Sequence, residues 1–224
     1  SIQGPLIYLA GVGIALFFLI RSSKKLFKLR YLYLLVGFTS FGLGVTALFN
    51  KGPLAKIIYQ PSVLYRADYM HAGWEMTKTH PWTGIGLDSF GDWYRAMRSI
   101  KAATWFPGER VVTYVAHNIY LDMYASGGLP LLLFFTLINI YAGIKLYLLL
   151  RRMRGFDWVA VSLAAVYLGY EAQALISINQ IGIGIWGWSV LGATIAYERI
   201  TRFEPAQETI ARVRKSKASS QIAK

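Results

Sequence analysis

The sequence predicts an all-α fold: a multispan helical membrane protein with about five transmembrane helices and a large outer loop that contains amphipathic helices. Three observations predict this class, namely the composition, the length of the apolar runs and the placement of the basic residues. Of the 224 residues, 55% are hydrophobic, and several runs reach the ~20 residues that a helix needs to cross a bilayer. Helices satisfy their own backbone polar groups in lipid, and the alternating strands of about ten residues that a barrel requires are not seen.

The apolar runs divide the chain into a membrane domain, residues 1–202, and a basic tail, residues 203–224. We expect five spans, at about residues 3–20, 31–49, 129–150, 158–177 and 181–198. A long outer loop, residues 50–117, separates the second span from the third. Because Ser1 already stands at the end of a span, we also expect further spans upstream of it.

The basic residues set the expected orientation. Lys and Arg number 24 against 11 Asp and Glu, which gives a formal net charge of +13, and they cluster in residues 21–30, 151–154 and 199–224. With five crossings these clusters share one side, which the positive-inside rule assigns to the cytoplasm. The placement favours topology and contact with membrane lipids over nucleic-acid binding, so we expect no nucleic-acid partner. The absence of cysteine excludes a disulfide and a thiolate nucleophile.

The outer loop carries too many aromatic side chains to be disordered, and they fit short helices at the membrane interface. A helix is predicted over residues 63–79, with Ser62 as its cap. Its apolar face would hold Val63, Ala67, Met70 and Trp74. Gly84 and Gly86 predict a turn, and a second short helix is predicted over 88–101. Simple anchoring of the aromatic rings at the headgroup level is the alternative.

His117 is the first candidate for chemistry, because it stands where the outer loop returns to an apolar helix. A helix N-terminus disfavours the charged imidazolium, so a ring in the first turn stays neutral and is able to accept a proton. Tyr120 and Tyr124 follow at spacings of three and seven, which predicts that they share its helical face. An ordinary polar cap is the alternative.

Arg66 is the first charge of the predicted outer helix, and its guanidinium offers a fork of donors suited to phosphate. Arg95 and Arg110 lie in the same loop, where eight Lys or Arg stand against five Asp or Glu. This basic excess favours a site that attracts an anion, with solvated surface arginines as the alternative. Glu171, inside the fourth span, is either functional or a helix–helix hydrogen-bond partner.

Taken together, these motifs resemble the C-terminal domain of the O-antigen ligase and O-antigen polymerase family. The resemblance spans about residues 31–175. It depends on Arg66 with Trp74, on Pro81-Trp-Thr-Gly84-Ile-Gly86 with Phe90, on His117-Asn118-Ile-Tyr120-Leu121 and on Gly127-Gly128. The histidine element joined to the glycine and phenylalanine element is fairly specific, whereas either alone is weak. Residues 87–94 depart from the commoner Pro-Gly-x-Phe form of the family.

The resemblance implies a metal-independent, inverting glycosyltransferase with no cofactor and no metal, in the bacterial cytoplasmic (inner) membrane with its active site facing outside. It would take a glycan from an undecaprenyl-pyrophosphate carrier and join it to a sugar or lipid-glycan acceptor, as a ligase or a polymerase. By the same resemblance, Arg66 would hold the carrier pyrophosphate and His117 would activate the acceptor hydroxyl. We expect substrate-binding roles for Arg95, Arg110, Asn118, Tyr120 and Tyr124.

The rival interpretation within the same family is a non-enzymatic membrane transporter of a solute or bicarbonate type. It would depend on Glu171 and on the glycines of the fifth span, which would line a path or pack helices tightly. A transporter needs a polar route across the membrane. The enzyme instead needs access from one side and a lateral opening to lipid.

Overall fold

The computed structural model describes residues 3–104, 111–153 and 155–222, with side chains described between 4 and 203. Within these residues the chain forms nine α-helices and no β-strand, which confirms the all-α prediction. In chain order they are α1 Gln3–Ser22, α2 Leu29–Leu48, α3 Ala55–Ile58, α4 Pro61–Thr79, α5 Phe90–Met97, α6 Ile100–Thr104, α7 Ile119–Arg152, α8 Trp158–Ala174 and α9 Ile181–Ile222.

Helices lie at each of the five predicted spans. Three of them, α1, α2 and α7, are long and apolar enough to cross a membrane, so the multispan helical membrane class is confirmed. α8 has 17 residues. α9 has 42 residues in all and continues into the predicted tail as far as Ile222, a length of about 60 Å at the usual helical rise. The number of five crossings stays a prediction.

The long helices form a bundle that is packed through small residues. α8 contacts α1, α7 and α9, and α7 also contacts α9. Ala142 of α7, Ala164 of α8 and Leu191 of α9 are buried together. The Tyr167 hydroxyl donates to the Asn139 carbonyl at 2.8 Å and ties α8 to α7. Small side chains allow this close approach, which is how helices associate in lipid.

A buried carboxylate joins α7 to α9 near the basic segment 151–154. Glu198 is 1% exposed, and its Oε1 lies 2.7 Å from Arg152 Nη2. Its Oε2 lies 3.5 Å from Lys145 Nζ. A carboxylate is costly to bury without partners. The two cations of α7 therefore allow α9 to pack against it at this end of the bundle.

The first outer helix begins earlier than predicted and buries a different face. α4 starts at Pro61 with Gln60 as the N-cap residue, so the prediction of Ser62 as the cap is wrong. Proline is favoured at the first helical position because its φ is already helical. The residues that α4 buries are Ala72, Gly73, Met76 and Thr77. The predicted apolar face, by contrast, includes Trp74, which is 53% exposed.

The helix predicted over 88–101 is divided into two short helices, α5 and α6. Arg98 has a ψ of 152° and is extended, so α5 ends at Met97. The Ser99 hydroxyl then accepts a hydrogen bond from the Ala102 amide at 3.0 Å. This side-chain cap starts the new helix.

Candidate functional site

The loop after α4 completes the backbone hydrogen bonding of α7 where that helix is broken. Pro130 has no amide hydrogen, so the Ser126 carbonyl lacks the donor that a regular helix would supply. The Gly86 amide donates to that carbonyl instead, at 3.1 Å. The Leu129 amide turns out of the helix and donates to the Pro81 carbonyl at 2.8 Å. Main-chain hydrogen bonds therefore fix the loop to α7.

Glycine is required at the two closest points of this contact. Gly84 and Gly128 both have a φ of 67°, in the left-handed region that residues with a Cβ disfavour. A Cβ at either position would also collide with the main chain of the opposite segment. Residues 81–86 and 125–129 are thus two halves of one contact, called the glycine joint below.

Small residues also bring α4 close to the segment before α7. Gly73 lies against Ala116 and Leu121, and a Cβ at Gly73 would stand only 3.1 Å from that of Ala116. The cluster of buried side chains around this contact holds Ala72, Met76, Phe90, Tyr94, Ala116 and Ala125. It unites α4, α5 and the start of α7, and the candidate site is built on its surface.

His117 lies one residue before the N-cap of α7 and not in its first turn. Asn118 is the N-cap, and its Oδ1 accepts a hydrogen bond from the Leu121 amide at 3.0 Å. His117 itself has a φ of 59°, a left-handed conformation that is uncommon outside glycine. Because this residue is not helical, helical spacing does not relate it to Tyr120 and Tyr124. The prediction of one shared face is wrong.

The imidazole ring of His117 is half-buried against α4. It packs on the Tyr69 ring with the two centroids 5.0 Å apart, and its Nδ1 lies 3.4 Å from the Val115 carbonyl. Burial lowers the pKa of His117 below its ordinary value, the Val115 carbonyl opposes this shift, and the positive charge of Arg66 adds to it. The ring is therefore neutral near pH 7, mainly because of burial and not because of the helix terminus.

Arg66 is half-buried on α4, one turn before Tyr69, and it lines a cavity of about 410 Å³. The cavity is bounded by α1, α2, α3 and α4, and the polar residues of its described lining are Gln60, Ser62 and Arg66. In the part of the chain that the structure describes, no carboxylate forms an ion pair with this guanidinium. A cation at the edge of an apolar cavity suits an anion that carries a hydrocarbon chain.

The Tyr120 hydroxyl is directed towards α8. It donates to Glu171 Oε2 at 2.5 Å, and its ring packs edge-on against Phe135 with centroids 5.1 Å apart. Of the two alternatives for Glu171, the structure shows the helix–helix hydrogen-bond partner. A direct contact of Tyr120 with substrate stays a prediction, as does one of Asn118, whose side-chain oxygen is used as the N-cap.

The remaining predicted residues are spread over the sequence between α5 and α7. Arg95 is exposed in the last turn of α5, and Tyr124 is half-buried in α7. Arg110 lies outside the described residues. Their predicted roles in substrate binding are unchanged predictions.

Two residues at the site were not among the predicted ones. Tyr69 supplies the ring on which His117 packs, and its spacing of three from Arg66 is the signal that places both on one face of α4. Asp122 is 7% exposed, and its Oδ1 accepts a hydrogen bond from the Ala116 amide at 2.5 Å. An acidic residue in the first turn of a helix is a known preference, but nothing in the sequence indicates this partner.

These features define the class of protein as a multispan helical membrane protein with a basic site at the start of α7. The family model described as O-antigen ligase matches residues 3–136, and the chain belongs to that family. Membership implies glycan transfer of the O-antigen ligase type in general. No curated protein matches the chain, and no solved structure matches it.

Proposed function

We propose that this protein transfers a glycan from an undecaprenyl-pyrophosphate carrier to a hydroxyl of a sugar or lipid-glycan acceptor, as a ligase or a polymerase. The reaction would take place at the outer face of the bacterial cytoplasmic membrane and would need no metal. The observation that carries the proposal is the packing of the His117 ring on Tyr69, one turn along α4 from Arg66, which lines an apolar cavity. Family membership supports glycan transfer of this general kind.

Arg66 would bind the pyrophosphate of the carrier. A guanidinium makes two parallel hydrogen bonds to phosphate oxygens, and its charge does not depend on pH in the working range. Negative charge grows on the bridging oxygen as the bond to the sugar breaks, and a positioned cation stabilises that charge. The lack of a carboxylate partner among the described residues keeps this arginine available for an anionic substrate.

The apolar part of the same cavity would hold the first isoprene units of the carrier. Its walls include Leu6 and Ile7 of α1 and Leu48 of α2, and these two helices are apolar enough to stand in lipid. A carrier lipid would then reach Arg66 sideways from the bilayer. The soluble glycan would remain outside the apolar cavity.

His117 would take the proton from the acceptor hydroxyl. The lowered pKa keeps the ring neutral, which is the form that accepts a proton. The acceptor oxygen forms a bond to the anomeric carbon while the bond from that carbon to the pyrophosphate oxygen breaks. The bonding electrons leave with the pyrophosphate, and a single displacement of this kind inverts the anomeric centre.

The proposal is tested by Arg66→Lys in the intact protein in lipid vesicles. Lysine keeps the charge but loses the two-pronged hydrogen bond, so we expect transfer from a polyprenyl-pyrophosphate glycan to fall on the order of 100-fold. Arg199→Lys is the matched control, because Arg199 is exposed on α9, and it should keep the wild-type rate. Near-normal transfer by Arg66→Lys would make Arg66 a surface charge and remove the central support of the proposal.

A further inference from the structure

The segment that carries His117 is closed by a side chain from the next turn. Asp122 reaches back six residues, and its Oδ1 accepts a hydrogen bond from the Ala116 amide at 2.5 Å. The Asp122 amide donates in turn to the Asn118 carbonyl at 2.8 Å. Asp122 is 7% exposed, so water competes little for these bonds.

This closure bears on the conformation of His117. A non-glycine residue at a φ of 59° is in a sparsely populated and unfavourable region. Such a conformation persists when the residues around it are fixed. Here Ala116 is fixed by Asp122 on one side, and Asn118 is fixed as the N-cap on the other.

We propose that Asp122 is a positioning residue that holds the His117 ring against Tyr69, one turn along α4 from Arg66, by binding the Ala116 amide. The proposal rests on the proposed role of His117 in proton transfer. Among the residues that the structure describes, the Tyr69 ring of α4 packs on the imidazole, and the charge of Arg66 on the same helix acts on it. Asp122 does not touch the reacting atoms and acts only through the backbone of Ala116.

The test compares Asp122→Ala with Asp122→Asn in the intact protein. Asparagine keeps a side-chain oxygen for the Ala116 amide, whereas alanine removes it. Asp157→Ala is the matched control, because Asp157 caps α8 through the Val159 and Ala160 amides. If the alanine variant does not fold, Asp122→Ser takes its place, since its hydroxyl is too short to reach the same amide.

Two quantities are measured: the transfer rate, and the pKa of the His117 ring by NMR with labelled histidine, the signal being identified from its loss in His117→Asn. We expect Asp122→Ala to raise the pKa of His117 towards its ordinary value of about 6.5 and to slow transfer about 10- to 100-fold. Asp122→Asn and Asp157→Ala should leave both quantities close to wild type.

The proposal is overturned if Asp122→Ala keeps the wild-type ring pKa, or if Asp122→Asn loses as much as Asp122→Ala. In the second case the charge of the carboxylate matters, and not its hydrogen bond. The NMR measurement needs no substrate, so it decides the role of Asp122 even if the wild-type protein transfers no glycan. That last result would count against the proposed function alone.

Discussion

His117 combines an unusual backbone conformation with an unusual environment for its ring. The left-handed φ of 59° turns the residue out of the helix that follows, and the ring packs on Tyr69 of a helix far away in sequence. The sequence predicted a neutral imidazole at this position. It did not predict the cause, because burial depends on how α4 packs against α7, which no local pattern encodes.

The pH dependence of transfer follows from the state of this ring. The neutral form accepts the proton, and burial together with Arg66 lowers the pKa of His117. A lowered pKa keeps the ring neutral to more acidic pH, so we expect transfer to decline on the acid side only below pH ~6.5, the ordinary value for histidine. The measurement is the rate in vesicles across the acid range, with bound donor checked at each pH. A decline that begins above the ordinary value would contradict the assignment.

Hydrogen bonds whose partners the sequence does not indicate account for what it did not predict at this scale about Tyr120 and Asp122. Arg66 and His117 were identified because their residue types and positions in motifs point to anion and proton chemistry. Tyr120 was expected at the substrate, yet its hydroxyl is bound to Glu171. Asp122 was not predicted as a site residue because its partner is the backbone amide of Ala116. Every residue except proline has such an amide, so residue type does not indicate which one is the partner.

At the level of elements, the glycine joint explains why the motif at residues 81–86 and the motif at Gly127-Gly128 occur in one chain. Pro130 removes a helical donor from α7, and the loop of residues 81–86 supplies the replacement. The sequence predicted the turn at Gly84 and Gly86, and the structure shows in addition that α7 is broken at Gly128, just before Pro130. The sequence could not predict that the turn and the break bind each other, since this pairing depends on the path of the whole outer loop.

Gly128→Ala should break the glycine joint. Its φ of 67° is strained for alanine, and the new Cβ would collide with the main chain of the loop. We expect a loss of stability of about 2 kcal/mol or more and a matching loss of transfer, because the loop and the start of α7 would separate.

Gly44→Ala is the control for this substitution. Gly44 lies inside α2, and a Cβ there meets no atom within 4 Å. Thermal unfolding in detergent should place this variant at or above wild type, because alanine favours a helix over glycine. Equal unfolding temperatures for the two alanine variants would show that the glycine joint does not hold the site together.

At the scale of the whole molecule, the apolar helices and the placement of the cations determine how the helices are arranged. The apolar residues of α1 and α2 are widely exposed, as Tyr8 at 72% and Phe38 at 72% illustrate, which suits contact with lipid and not with water. Apolar run length was enough to predict a helix at each of the five spans. It was not enough to predict the Glu198 ion pairs, because a single carboxylate at the end of a predicted span has many possible partners.

The orientation of the molecule is open to a direct test. We expect the outer loop on the outside and the basic tail on the inside, because the three basic clusters should face the cytoplasm. The chain has no cysteine, so single cysteines at Leu87, which is 74% exposed, and at Ser219 each report one side. In intact cells an impermeant thiol reagent should label the first and spare the second until the membrane is opened. Labelling of both in intact cells would contradict this topology.

The most direct test of the account is glycan transfer by His117→Asn. Asparagine tolerates the left-handed conformation better than most residues, but it has no basic nitrogen. In vesicles with a labelled polyprenyl-pyrophosphate glycan and an acceptor, we expect a folded variant that binds the donor and transfers glycan at least about 100-fold more slowly. Transfer at the wild-type rate by a folded, donor-bound His117→Asn protein would contradict this expectation.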